Sequence, residues 1–168
     1  MTQSDGSYQG EAAWYSGGGG LSQFEYSPYW ESPAQPVGTT SAGFTFRGVP
    51  DVAMDADLQT GMNVYESGSW TVIGGTSLAS PLAAGTWARV LQQHPGIGFA
   101  APQLYNMYEA QVNSPGVALL GPPPTRPIAG FHDVLSGANG FYTALPGYDY
   151  TTGLGSFDVG VTLSLIGS

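Results

Sequence analysis

Helical and extended patterns alternate with glycine- and proline-rich punctuation along this chain, and the segment from Ser77 to Gln93 carries the most distinct pattern. It is rich in Ala and Leu, has no proline after Pro81 and stops before His94-Pro95-Gly96, which predicts a helix. Pro81 is expected in the first helical turn, where N–H groups lack intrahelical partners anyway. A second helix is predicted over Pro102 to Ala110, and Pro122-Pro123-Pro124 then excludes regular structure. Upstream, Met62–Glu66 and Trp70–Ile73 flank Ser67-Gly68-Ser69, the pattern of a hairpin, with Gln59-Thr60-Gly61 as the preceding turn. Residues 1–43, with Gly17-Gly18-Gly19-Gly20 and prolines at 28, 33 and 36, read as long loops. Short extended pieces are expected around Phe44–Phe46, and Gly48-Val49-Pro50-Asp51-Val52-Ala53 reads as loop entering a buried strand. Val159 to Ile166 closes the tail as a small helix or strand, and no internal repeat is visible.

Composition narrows the function classes. A chain of 168 residues accommodates one core, so a single compact unit is expected. Its formal charge of −9 comes from twelve carboxylates against Arg47, Arg89 and Arg126, with no lysine. Binding to a phosphate backbone would lack its main attraction, which argues against nucleic acid as a partner. Charged residues are only 9% of the chain, a surface suited to acid, because protonated carboxylates leave few cations to repel one another. The absence of cysteine excludes disulfides and thiolate metal sites. No apolar run reaches the roughly 18 residues of a membrane span. Met1 to Gly10 is polar and lacks the basic and apolar stretches of a secretory signal. If the protein is exported, its address lies elsewhere, the chain being cut from a longer precursor or Met1 opening a truncated reading frame.

Candidate chemistry concentrates at Gly74-Gly75-Thr76-Ser77-Leu78-Ala79-Ser80-Pro81, which follows an apolar strand and opens the predicted helix. The first turn of a helix presents free N–H groups and positive partial charge, which would stabilise the oxyanion of an acyl transfer. Small neighbours would let a substrate backbone reach the Ser77 hydroxyl. A serine in this position can equally be a helix N-cap, and the local residues leave both roles open. A nucleophilic serine also needs a base. Of the only two histidines, His94 lies toward the far end of the same helix, about 25 Å away at 1.5 Å per residue. His132 reads as a packed or hydrogen-bonded loop residue, so no serine–histidine pairing is convincing.

Two aspartates in loops, Asp133 and Asp149, could supply charge to a calcium ion, a hard cation that takes six or more oxygens. On spacing alone they could as well be turn formers or solvated charges.

Three blocks together resemble the sedolisin, or serine-carboxyl, peptidases: Gly48-Val49-Pro50-Asp51-Val52-Ala53, then Gly74 to Pro81, then Phe131-His132-Asp133-Val134 with Gly147-Tyr148-Asp149 and Thr152-Gly153-Leu154-Gly155. The first two would also fit ordinary subtilisins, and the third decides for sedolisins. Glu11 to Ser22 is similar to the family's upstream segment, so the likeness spans most of the chain, residues 112–128 excepted. The resemblance implies an α/β, subtilisin-like fold, a largely parallel sheet flanked by helices, here incomplete. Residues 1–168 would form the C-terminal portion of one peptidase catalytic domain. It implies Ser77 as nucleophile. It also implies calcium held by the side chains of Asp133 and Asp149 and the carbonyls of Val134, Leu145 and Gly147. Leu145 stands where the family often has glycine, which matters only if the backbone there needs a positive φ.

The family uses a glutamate as base, oriented by one aspartate, with another aspartate in the oxyanion site, and all three are expected upstream of this chain. Asp51, Asp55 and Asp57 belong to a block the family uses structurally. The expected activity is therefore that of a secreted, acid-acting endopeptidase on protein or peptide substrates. It would require the N-terminal portion of the same peptidase as partner, and the chain alone would be inactive. Two other readings stand beside it: a non-catalytic calcium-stabilised remnant or binding module, and a fragment of a subtilisin-type serine peptidase.

Overall fold

A computed structural model describes residues 7–31, 34, 45–112 and 128–166. Phe44 and the run Pro122-Pro123-Pro124 lie outside the described residues. The element order is β1 (Gly20–Tyr26), β2 (Phe46–Val49), β3 (Met62–Glu66), β4 (Ser69–Ile73), α1 (Thr76–Gln93), α2 (Ala100–Val112), β5 (Phe131–His132), β6 (Ser156–Phe157) and α3 (Val159–Leu165).

The core forms around α2, which buries Ala101, Leu104, Tyr105 and Tyr108, the i, i+3, i+4, i+7 stripe of an amphipathic helix. Val90 of α1, Phe131, Tyr148, Leu154 and Ile166 complete it. The α1 helix, for all its Ala and Leu, buries only Leu78 and Val90. Its far end docks on α3, where His94 Nε2 lies 3.2 Å from the Leu163 carbonyl. Helix α3 begins at Asp158, whose carboxylate accepts from the Val161 N–H, and its buried Thr162 donates to the Gly130 carbonyl at 2.9 Å.

The hairpin forms as predicted, with Glu66 opposite Ser69 and a two-residue turn. Ser67 (φ 51) and Gly68 (φ 87) are both left-handed, the turn whose twist suits a hairpin. β1 forms within the stretch read as loop. It pairs antiparallel with β2, and an irregularity between Leu21 and Tyr26 breaks its register. Strand pairing among the described residues does not confirm the largely parallel sheet expected of the fold. Their named strands make three antiparallel pairs. Parallel pairing is confined to the isolated bridges Ala13 with Gly137 and Ala53 with Ser156.

The segment around residues 8–13 is stitched to the far end of the sequence. The Ala13 N–H donates to the Ser136 carbonyl at 2.8 Å, Tyr8 stacks on His132 with centroids 3.8 Å apart, and Ser156 Oγ donates to Glu11 at 2.6 Å.

Candidate functional site

Ser77 is exposed and occupies the second position of α1. The helix is capped by Gly75, with no side-chain cap hydrogen bond, so Ser77 is not the N-cap. Gly75 has φ 83 and ψ 170, a conformation essentially reserved for glycine. Gly74 is needed for a different reason: a Cβ there would lie 3.0 Å from both the Ala56 carbonyl and the Leu58 Cα. Intrahelical bonding starts with the Leu78 N–H, 2.9 Å from the Gly75 carbonyl. The N–H groups of Thr76 and Ser77 come before that first bond and point out of the helix end.

Pro81 corrects one expectation. With the helix starting at Thr76, it falls in the second turn rather than the first. Having no N–H, it removes the bond that the Ser77 carbonyl would accept in a regular helix.

No described residue hydrogen-bonds the Ser77 hydroxyl. The three aspartates upstream of the hairpin are engaged elsewhere. Asp51 takes both Arg47 Nη2 contacts at 2.8 Å and accepts from Tyr105 Oη at 3.1 Å. Asp55 accepts from Thr60 Oγ1 at 2.7 Å, and Asp57 from the Gln59 N–H at 3.0 Å. His94 closes the far end of α1, and His132 is stacked on Tyr8.

The calcium-candidate residues come together around one loop. Gly147 N–H donates to Asp133 Oδ2, and Leu145 N–H donates to Asp149 Oδ2, both at 2.8 Å. Both carboxylates thus grip the same turn from opposite ends. Asp133 Oδ1 is buried with no hydrogen-bond partner, which is costly for a carboxylate unless a cation or water satisfies it. Burial pushes the Asp133 carboxyl above the ordinary range; the Gly147 N–H opposes this, and the nearby Asp149 adds to it. Among the described residues no hydrogen bond reaches the carbonyls of Val134, Leu145 or Gly147. Among the described residues no three His, Asp or Glu side chains cluster as metal ligands. A cation here would therefore rest on two carboxylates plus backbone carbonyls, the oxygen-rich set calcium favours.

Leu145 has no positive φ, whereas Gly147 does, at 80°. The leucine is thus accommodated without backbone strain.

The sequence reading missed Thr151 and Thr152, whose N–H and hydroxyl groups all donate to Asp149 Oδ1, at 2.6–3.2 Å. An aspartate followed two and three residues on by threonine is a local turn signal that could have found them. It also missed Glu31, buried at 0% exposure and paired with Arg47 at 2.9 Å. That contact joins residues distant in sequence and had no local signal. An open pocket of about 460 Å³ between α1 and the tail, lined by Glu11, Asp55, Leu82, His132 and Phe157 among others, was likewise not visible in the sequence.

The chain is similar to three characterised proteins. It is 37% identical over 148 residues to xanthomonalisin of Xanthomonas sp. (strain T-22), covering 85% of this chain and 15% of that protein. It is 36% identical over 173 residues to sedolisin of Pseudomonas sp. (strain 101), covering 94% and 26%. It is 36% identical over 178 residues to kumamolisin of Bacillus sp. (strain MN-32), covering 97% and 28%. Among solved structures it resembles Pseudomonas sedolisin, a serine-carboxyl proteinase complexed with two molecules of pseudo-iodotyrostatin. That match has a TM-score of 0.76 and 35% identity, over 98% of this chain and 43% of the other. The chain thus spans 15–28% of the length of the relatives it matches in sequence. No family model matches it.

Proposed function

This chain belongs to the sedolisin family of serine-carboxyl peptidases, and on that footing we propose that it is the nucleophile-bearing, calcium-binding portion of an endopeptidase acting in acid. The observation that carries the proposal is Ser77: an exposed hydroxyl, free of hydrogen bonds from described residues, on the open end of an 18-residue helix. In this reading Ser77 Oγ attacks the scissile carbonyl carbon and its proton passes to a glutamate. The amine leaves with a proton, and water then releases the acyl group. The Ser77 N–H faces the oxygen on which negative charge develops. The glutamate and its two aspartate companions are contributed by the N-terminal portion of the same peptidase. A carboxylate base keeps its function where imidazole would already be protonated.

The bare flank of α1 supports such a partner, since an Ala- and Leu-rich helix that buries only two residues is short of a neighbour. The parallel sheet of a subtilisin-like domain would be completed from that partner, with the bridge of Ala53 to Ser156 at its edge. Asp133, Asp149 and the carbonyls of Val134, Leu145 and Gly147 would hold calcium, which when bound offsets the charge of the two carboxylates. The substrates are proteins or peptides, and the family points to action outside the cell. No described helix is long and apolar enough to cross a membrane.

Mixing the chain with its N-terminal portion tests the assignment. Peptide hydrolysis at acidic pH is expected for Ser77 and its loss for Ser77→Ala; equal hydrolysis by both would remove Ser77 from the mechanism. A second reading, a non-catalytic calcium-stabilised module, draws on the absence of a proton acceptor bonded to Ser77 among the described residues. It would be favoured if the mixture bound calcium but never turned over. The subtilisin-type reading loses ground because the relatives named above are serine-carboxyl enzymes or their kin.

A further inference from the structure

The loop from Asp55 to Thr60 lies against the backbone of the Ser77 turn. The Gly75 N–H donates to the Ala56 carbonyl at 2.6 Å, so the residue whose unusual conformation launches α1 is anchored by this loop. The contact is close: backbone atoms of the loop and the Leu58 side chain both press on Gly74. A Cβ on Gly74 would meet the Ala56 carbonyl and the Leu58 Cα at 3.0 Å, and one on Gly61 would meet the Ile73 carbonyl at 2.2 Å. With the Gly75 N–H bonded to the loop and Gly74 this close to it, a shift of the loop is transmitted to both glycines.

The loop itself is closed by a side-chain clasp. Thr60 Oγ1 donates to Asp55 Oδ1 at 2.7 Å, joining the first and last residues of the loop. Inside the clasp, the Thr60 N–H donates to the Asp57 carbonyl at 3.1 Å and the Gln59 N–H to Asp57 Oδ1 at 3.0 Å, so the loop is a tight, internally bonded turn. Ala56 follows Asp55 directly. Holding Asp55 therefore holds the carbonyl that holds Gly75.

We propose that Thr60 and Asp55 are positioning residues for Ser77: their hydrogen bond fixes the Ala56 carbonyl on the Gly75 N–H and thereby sets where the Ser77 hydroxyl and N–H point. The inference rests on Ser77 being the nucleophile. Neither residue needs to touch substrate. Their effect falls on the geometry of attack, where displacement of a reacting group by about 1 Å costs up to about a hundredfold in rate. Substrate grip, made by other surfaces, is left alone.

The test uses this chain combined with its N-terminal portion, with Thr60→Val, Thr60→Ser and Ser77→Ala compared to the unaltered sequence. Thr60→Val is expected to lower kcat about tenfold at unchanged KM, while Thr60→Ser, which keeps the hydroxyl, restores it. In the chain alone, Thr60→Val is expected to speed hydrogen exchange at the Gly75 amide about tenfold, with the Val90 amide unaffected. A simple loss of fold would accelerate both amides and would not spare KM. Normal kcat and normal Gly75 exchange in Thr60→Val, with Ser77→Ala inactive, would overturn the clasp and leave the nucleophile standing. Full activity in Ser77→Ala would instead remove the nucleophile on which the clasp depends.

Discussion

Gly75 concentrates the demands that the Ser77 turn makes on single residues. A Cβ there would meet nothing closer than the Ser77 nitrogen at 3.8 Å, so the cost of replacing it lies in the backbone and not in packing. Gly75→Ala is expected to lower stability by about 1–3 kcal/mol, read as a lower urea midpoint at unchanged slope. Glu31 gives a second test at this scale. Burial is the largest influence on it and raises its pKa above the ordinary 4.5, against Arg47 and the hydrogen bonds from Ser27 and the Gly48 N–H. A folded state that holds this proton more tightly than the unfolded chain is favoured by acid. That contribution is full below 4.5 and is lost as pH rises through the raised value. Burial moves Asp133 and Glu109 in the same direction. Glu31→Gln cannot titrate, so its melting temperature should depend less on pH from 4.5 upward than that of the parent. The Ser77 turn was legible in the sequence because its requirements are local: small residues, then a helix. Glu31 was not, because its partner Arg47 is sixteen residues away across a glycine- and proline-rich stretch.

Among the elements, the hairpin was readable from its turn, since Ser67-Gly68 supplies two left-handed positions between matched strands. β1 escaped notice because its support is remote: it exists through pairing with β2, and the pairing is interrupted partway. Helix α3 stood between helix and strand in the sequence, and its start explains the outcome. With seven residues it is too short to hold itself in water, so it relies on the Asp158 cap, the Thr162 anchor and burial of Ile166. Asp158→Ala is expected to cost about 1 kcal/mol, seen as a lower melting temperature together with faster exchange at the Val161 amide. The parallel sheet could not be judged from local pattern in either direction. It was an expectation carried by family likeness, and strand direction depends on which neighbours a segment finds.

Taken whole, the molecule combines a well-filled centre around α2 with generous bare apolar surface. Phe24 is 89% and Trp70 70% exposed, and the hairpin carries Met62, Val64 and Val72 in the open as well. The paired aspartates give a test at this scale, because an ion that binds only the folded chain stabilises all of it. Addition of a calcium chelator should lower the melting temperature of the parent chain and leave that of Asp133→Ala unchanged, as followed by circular dichroism.

The stitching of residues 8–13 to residues 132–156 has a consequence for biosynthesis. Glu11 cannot find Ser156 until the chain has been made 145 residues further, so this contact forms long after its first partner is synthesised. Until then Tyr8 and Glu11 lack the partners they have in the folded chain, which makes that interval the period when shielding from neighbours matters most.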